Sequence, residues 1–439
     1  MILVFFVIVV MIFNSNFQMG FIKQKLLSVS DKMIIFSVYV IVFVMGGSIL
    51  LISTERIVDR KDIKQSKKLI YSLSIFSIFS ILSAILVITL VQLYFFNRYS
   101  SLVFYLTSYI SLISSLGFLS ILTFKFFRWF LIRRNYVAIA YGVLFSLYSS
   151  SILLALAYLK DGLAIHPPVI AFLSPRALSS NLYSINNAFQ NNIGIAYDVL
   201  FFSSLVIAWA LSVIILKQYI RRIGKYTFWL LVSIPLVFYL TRYEILFNIL
   251  ELNAAGTNVI PSSLGQAFFI MFTNSDIQII GIFFAISFLT ISLKLKGQLR
   301  KSMIITMIGM TLLFASRDLH SIFVHSYPPS GVVTISFMAV GSYMLFTGLI
   351  SFLNLAARDK KLYTDLVRRI QNDYPLFKNL ILSERDNLTL EMTKPIIDFS
   401  NQWQKAHVQE DLSTQEVSEM VHDILAELNE RRKVEMSDK

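Results

Sequence analysis

Asp318, Ser321 and His325 follow one another at i, i+3 and i+7, a spacing that sets them on one face of a helix. Arg317 and His320 fall in the same two turns. Aspartate beside histidine is a proton-handling set, because imidazole titrates near neutrality and a neighbouring carboxylate tunes it. Asp198, Arg242, Glu244 and Asp276 also sit within apolar runs. Charge at membrane depth is costly and usually faces a ligand, an ion or another charge. The candidate ligand- or proton-binding residues are therefore Asp198, Glu244, Asp276, Asp318, His320 and His325. A plainer reading competes for most of them, as helix-end charges at the headgroup layer. Asn274-Ser275-Asp276 also fits an N-cap that starts its helix late and leaves 277–293 to span. No HxxxH or HExxH spacing is present, so a metal is not expected, nor is any other cofactor.

The elements that must position these groups are long apolar helices. The chain has 439 residues, 56% of them hydrophobic and 15% charged. A soluble protein has about 45–50% apolar and about 25% charged residues. The apolar residues come in runs of roughly 20, the thickness of a bilayer's hydrocarbon. In lipid the backbone must satisfy its own hydrogen bonds, so continuous runs predict helices. The expected fold is all-α, a polytopic transmembrane bundle of about nine spans with a helical C-terminal tail. The spans are 33–53, 69–96, 102–124, 136–159, 193–216, 226–247, 265–293, 302–324 and 331–355. Pro235 predicts a kink in the sixth. The domains are an N-terminal apolar segment at 1–32, the bundle at 33–356 and the tail at 357–439. Met1–Phe13 is short for a span and fits either a tenth crossing or an interfacial helix. It lacks the basic start of a signal peptide.

Basic residues orient the bundle. Arg56, Arg60, Lys61, Lys64, Lys67 and Lys68 follow the first span, and Lys125, Arg128, Arg133 and Arg134 the third. Lys217, Arg221, Arg222 and Lys225 follow the fifth, and Lys294, Lys296, Arg300 and Lys301 the seventh. Intervening loops carry one or two each. Excess Lys and Arg marks the cytoplasmic side, so the tail is expected in the cytoplasm of a multi-pass cell-membrane protein. The candidate acids and histidines then fall in the outer half, and the inner half reads as nearly uncharged. Residues 1–356 carry a balance of +16 and residues 357–439 one of −3. The net +13 therefore belongs to topology and anionic lipid, not to a nucleic-acid partner. The absence of cysteine excludes disulfides and thiolate chemistry.

The tail continues the last span as helix from Phe352 to Ile370, with breaks at Tyr374-Pro375 and Lys394-Pro395. Ser413 and Glu416 then form a capping box. Val417, Met420, Val421, Ile424, Leu425 and Leu428 make an apolar stripe behind it. The stripe fits packing within the tail, self-association or a partner protein.

Tyr327-Pro328-Pro329-Ser330-Gly331, the proline-bearing Phe228–Leu240 span, Leu173-Ser174-Pro175 and the run Gly348–Ile370 resemble a set of uncharacterised multi-pass membrane proteins of ammonia-oxidising archaea. The likeness covers roughly residues 160–370. It implies an archaeal cell membrane and no particular chemistry. In topology alone, the last seven spans look like the seven-helix sensor modules of some bacterial receptors.

No Walker loop, zincin helix or nucleophile elbow is present, so no enzymatic activity is expected. The favoured expectation is a sensor or interaction protein with an outward polar pocket and a relaying tail. A small-solute transporter or channel and a non-catalytic subunit of a membrane complex are the alternatives. Cysteine scanning is direct in a chain that has none. A transporter predicts thiol-reagent labelling that reaches the inner half, and labelling confined to the outer half counts against it.

Overall fold

The computed structural model describes residues 29–57, 65–96, 101–134, 136–165, 188–217, 220, 224–237, 276–316, 330–358, 381–386, 389 and 393. Among the described residues every regular element is helical. The order is α1 (Val29–Ile41), a π-turn (Val42–Gly46), α2 (Gly47–Ile57), α3 (Gln65–Phe96), α4 (Ser101–Arg133) and α5 (Tyr136–Ile165). Then follow α6 (Ala188–Leu216), α7 (Lys225–Val237), α8 (Asp276–Lys294), α9 (Gly297–Ala315) and α10 (Ser330–Arg358). Residues 381–386 form one further helical turn.

Serine and threonine are frequent in these helices, and many of their hydroxyls bond to their own backbone. Ser37 donates to the Met33 carbonyl at 2.8 Å, Thr89 to Ile85 at 2.8 Å and Ser115 to Ser111 at 2.8 Å. A hydroxyl bonded to the carbonyl one turn back no longer needs water, so Ser-rich helices remain compatible with lipid. Six helices are long and apolar enough to cross a membrane: Phe36–Arg56, Ile70–Phe96, Tyr105–Ile132, Tyr136–Ala157, Ile195–Leu216 and Gly331–Ala357. The sixth, seventh and eighth expected spans overlap α7, α8 and α9 only in part, and none of these three is among the six. Of these, Lys225–Val237 and Gly281–Lys294 are shorter apolar helices, and α9 opens on Gln298, Arg300 and Lys301. The helix Lys225–Val237 includes Pro235, which has no N–H for the Leu231 carbonyl. One residue on, the Val232 carbonyl accepts the indole N–H of Trp209 from α6 at 2.8 Å.

The helices form a ring around α10. Round the ring, α1 packs on α3, α3 on α4, α4 on α5, α5 on α6, α6 on α8, α8 on α9, and α9 on α2. Helix α10 touches α2, α3, α4 and α9 from within. Of its apolar window, 94% is buried in the protein, against 33% for α3. A helix enclosed on all sides must carry small or apolar residues all round, and α10 does, with Gly341, Ser342 and Gly348 among its large side chains.

The tightest contact is between antiparallel α9 and α10. A Cβ on Gly309 would stand 2.4 Å from the backbone nitrogen of Leu345, and one on Gly348 would stand 2.7 Å from that of Thr306. A Cβ on Gly341 would meet the Leu313 nitrogen at 2.9 Å. Gly341 and Gly348 are seven residues apart, so they face the same neighbour at successive double turns. Backbones this close are the small-residue packing by which membrane helices associate, since lipid supplies no hydrophobic drive between them. A turn at Leu295–Lys296 joins α8 to α9, and Gly297 with φ +61° takes the left-handed conformation that L side chains avoid.

The π-turn in the first span is also matched by a close contact. A Cβ on Gly47 would lie 2.4 Å from the Phe79 ring. Phe43, inside the turn, packs on Phe79 at 5.2 Å and edge-on to Phe337 of α10 at 4.9 Å between ring centroids. The π-turn thus lies where an aromatic group ties α1–α2 to both α3 and the enclosed helix.

These contacts separate two glycines. Gly309→Ala drives a methyl into a backbone and is expected to destabilise by about 2–3 kcal/mol, as over-packing does. Gly117→Ala in α4 meets nothing within 4 Å and is expected to be neutral or to stabilise by up to about 1 kcal/mol. Thermal unfolding of both variants in the same detergent checks this, and equal melting temperatures would remove the α9–α10 contact from its central place.

Candidate functional site

The expected outer cluster is reached only in part. Asp198 lies in α6 and Asp276 is the first residue of α8, and these two helices are neighbours in the ring. Glu244, Asp318, His320 and His325 lie outside the described residues, as does the tail stripe Val417, Met420, Val421, Ile424, Leu425 and Leu428. Among the described residues no group of three His, Cys, Asp or Glu could hold a metal ion.

Two other carboxylates stand out, and the sequence reading singled out neither. The first is Glu55, half-buried at the end of α2. Its Oε1 accepts the hydroxyl of Tyr343, a residue 2% exposed near the midpoint of α10. Aromatic rings wall this pair. Phe118 of α4 packs edge-on to Tyr343 at 5.3 Å and lies 5.8 Å from Phe346. Tyr71 of α3 packs edge-on to Phe346 at 5.5 Å. Thr54 beside Glu55 is fully buried and donates to the Leu50 carbonyl at 2.8 Å. The first span was expected to end at 53, which placed Glu55 in water with the basic residues after it. In the structure the candidate span Phe36–Arg56 takes in Glu55 as its next-to-last residue, beside the exposed Arg56.

The second carboxylate belongs to the tail. Glu384 is 3% exposed, and its Oε2 accepts the indole N–H of Trp129 at the end of α4. Ile381 and Ser383 of the same turn are fully buried, and Ile381 joins the core of the bundle. The tail therefore returns to the bundle and docks there. Its seat is aromatic: Phe126 packs edge-on to Trp129 at 4.9 Å, stacks on Tyr141 of α5 at 5.3 Å and lies 5.7 Å from Phe145. The Trp129 indole is one chemical reason a carboxylate can be buried here. Indole offers one N–H and a broad apolar face, and charge-assisted hydrogen bonds are the stronger kind. Trp129 and Glu384 are 255 residues apart, so no local pattern announces the pair.

The Glu55 bond ties α2 to α10 and the Glu384 bond ties residues 381–386 to α4, and further polar bonds join the helices of the bundle. Ser111 of α4 donates to the Ile335 carbonyl of α10. Tyr148 of α5 donates to the Leu313 carbonyl of α9 at 3.0 Å. Ser302 of α9 donates to Ser351 of α10 at 3.4 Å. Each replaces a hydrogen bond that lipid cannot provide.

Removing the tail's acceptor leaves the Trp129 indole N–H buried and unpaired, a cost of about 1–3 kcal/mol. Glu384→Ala is thus expected to speed amide exchange across 381–386 by at least about tenfold in the full chain in nanodiscs, one decade being about 1.4 kcal/mol. Glu384→Gln keeps an acceptor and loses less. Equal exchange in Glu384→Ala and the parent would show that the indole bond does not hold the tail.

Comparison with protein-family models, with curated proteins and with solved structures finds no match for this chain.

Proposed function

We propose that the protein is a membrane sensor or interaction protein of the cell membrane, with nine spans and a cytoplasmic tail that relays the state of the bundle. The archaeal setting implied by the resemblance belongs to the same proposal. A small ligand or a proton is received at the outer half by Asp198, Glu244, Asp276, Asp318, His320 and His325. No catalytic group is assigned. The observation that carries the reading is the docked tail: Glu384 and Ile381 are buried against α4 and the core. A second support is that the enclosed helix α10 is also the helix that leads toward the tail. A displacement of α10 relative to the ring would act on both ends of the tail's attachment. Energetic coupling between two sites requires such an element with two arrangements.

The transporter reading has one observation in its favour, the acid Glu55 within a span. Transport would require Glu55 to face a water path from both sides.

A spin-label pair tests the relay in the intact chain. Nitroxides are placed at Leu131, 76% exposed on α4, and at Arg385, exposed on the docked turn. The distance between them is measured in proteoliposomes by pulsed dipolar spectroscopy. Lowering the external pH from about 8 to about 5.5 crosses the range in which histidine titrates. The relay reading expects a second distance population to grow. A single population that does not change with external pH would sink it.

A further inference from the structure

The π-turn Val42–Gly46 takes up one residue more than an α-helix would at the same place in the candidate span Phe36–Arg56. The added residue shows in the burial. Ile34, Val38, Ile41, Met45, Ile49 and Ile52 are exposed, and the two successive four-residue steps through Met45 mark the extra place. Just after the turn, the Gly47 N–H is shared by the Phe43 and Val44 carbonyls.

Such a turn disappears without breaking the chain if every later residue advances by one place, about 1.5 Å along the axis and about 100° around it. In most sequences that step turns unsuitable residues inward, but α2 has an equivalent residue one place earlier at nearly every inward position. Gly47 lies where a Cβ would overlap the Phe79 ring, which is buried and packed on Phe43. One step on, Gly46 takes that place. The buried Leu50, Leu51 and Thr54 give way to Ile49, Leu50 and Ser53. The place of Glu55, where the carboxyl accepts the Tyr343 hydroxyl, passes to Thr54, whose oxygen can accept the same bond. Outward, Glu55 moves to the exposed place of Arg56. Glycine thus stays under the ring, aliphatic side chains stay against the core, and a hydroxyl stays at the place of Thr54.

We propose that the first span has two registers, one with the π-turn and one a continuous α-helix advanced by a residue, and that α2 screws between them against α3 and α10. Glycine weakens a helix. The Phe79 contact accounts for Gly47 in the first register, and the same contact accounts for Gly46 in the second. In the advanced register Tyr343 changes its partner from a carboxyl to a hydroxyl. This inference does not rest on the relay reading, although it supplies an element with two arrangements of the kind that coupling between sites requires.

The chain has no cysteine, so nitroxides can be placed without background. One replaces Ile52 on α2 and the other Leu73 on α3, which are 43% and 61% exposed. One register step carries the first label about 8 Å around the helix surface. Pulsed dipolar spectroscopy of the full chain in nanodiscs reads the distance, and melting curves establish that each variant is folded. Gly47→Ala sets a methyl against Phe79 in the π-turn register only. It is expected to raise the ratio of advanced to π-turn register at least about tenfold over the parent, and Phe79→Ala added to it is expected to restore the parent ratio. Tyr343→Phe crowds nothing. It leaves the Glu55 carboxyl without this donor, whereas Thr54 can turn to its own backbone, and it is expected to shift the ratio the same way by about tenfold. Gly46→Ala added to Tyr343→Phe is expected to abolish that shift, because its methyl meets Phe79 only after the step. A distance distribution that is the same in the folded parent and in folded Tyr343→Phe overturns the proposal, whether or not Gly47→Ala folds. A shift that Gly46→Ala leaves in place overturns it as well, since the movement would then not be a register step.

Discussion

The backbone contact between α9 and α10 is the constraint around which the rest is arranged. Water drives apolar helices together, but lipid does not, so membrane helices cohere by close packing and by polar bonds between them. Gly309, Gly341 and Gly348 let two backbones approach until a single methyl would collide. That approach places Ser302 beside Ser351 and sets α10 where α2, α3 and α4 can also close on it. Helix α9 shares the enclosure, with no exposed residue from Ser302 to Ala315, whereas α3 gives one face to the protein and another outward. The exposed Ile81, Val87, Ile88 and Val91 of α3 are the lipid face, and Leu82, Leu86 and Leu93 the inner one.

Within this frame the half-buried Glu55 and the buried Glu384 share one chemical solution. Glu55 is held by a tyrosine and Glu384 by a tryptophan. Each donor brings an aromatic body that suits an apolar surrounding and a single polar atom aimed at the acid. The two differ in connectivity. The Glu55 contact joins one span to another, whereas the Glu384 contact joins the tail to a span. Glu55 belongs to α2, which touches α10, and Glu384 meets Trp129 of α4, which touches α10 as well.

Hydropathy and turn residues made the helices legible. The first to fifth expected spans and the ninth coincide with helices of membrane-crossing length, because a run of about 20 apolar residues has few other uses. Their arrangement was not legible. Hydropathy reports how apolar a segment is and not which neighbours cover it, so α10 and α3 read alike although one is enclosed and the other is mostly at the lipid face. The seven-residue spacing of Gly341 and Gly348 was the available signal for enclosure. Glu55 fell outside the expected span 33–53 and inside the candidate span Phe36–Arg56, which ends three residues later. Trp129 was passed over as one aromatic among many near a basic cluster, and its partner lies in a segment read only for its helix breaks. The acids and histidines singled out in the sequence rest on intrinsic cost and helical spacing, and four of the six lie outside the described residues.

The enclosure of α10 also bears on how the protein is made. It is the last of the six candidate spans in chain order, so the ribosome delivers the ring before the helix that fills it. Until residue 358 has emerged, α4 and α9 must wait in the bilayer with their small and hydroxyl-bearing faces covered by acyl chains or by the insertion machinery. Helix α10 then brings Thr334, Ser336, Ser342, Ser351 and Asn354, all buried in the finished protein, into a site assembled ahead of it. Biosynthesis of this bundle closes from the centre, and the turn at 381–386, translated later still, docks on α4 afterwards.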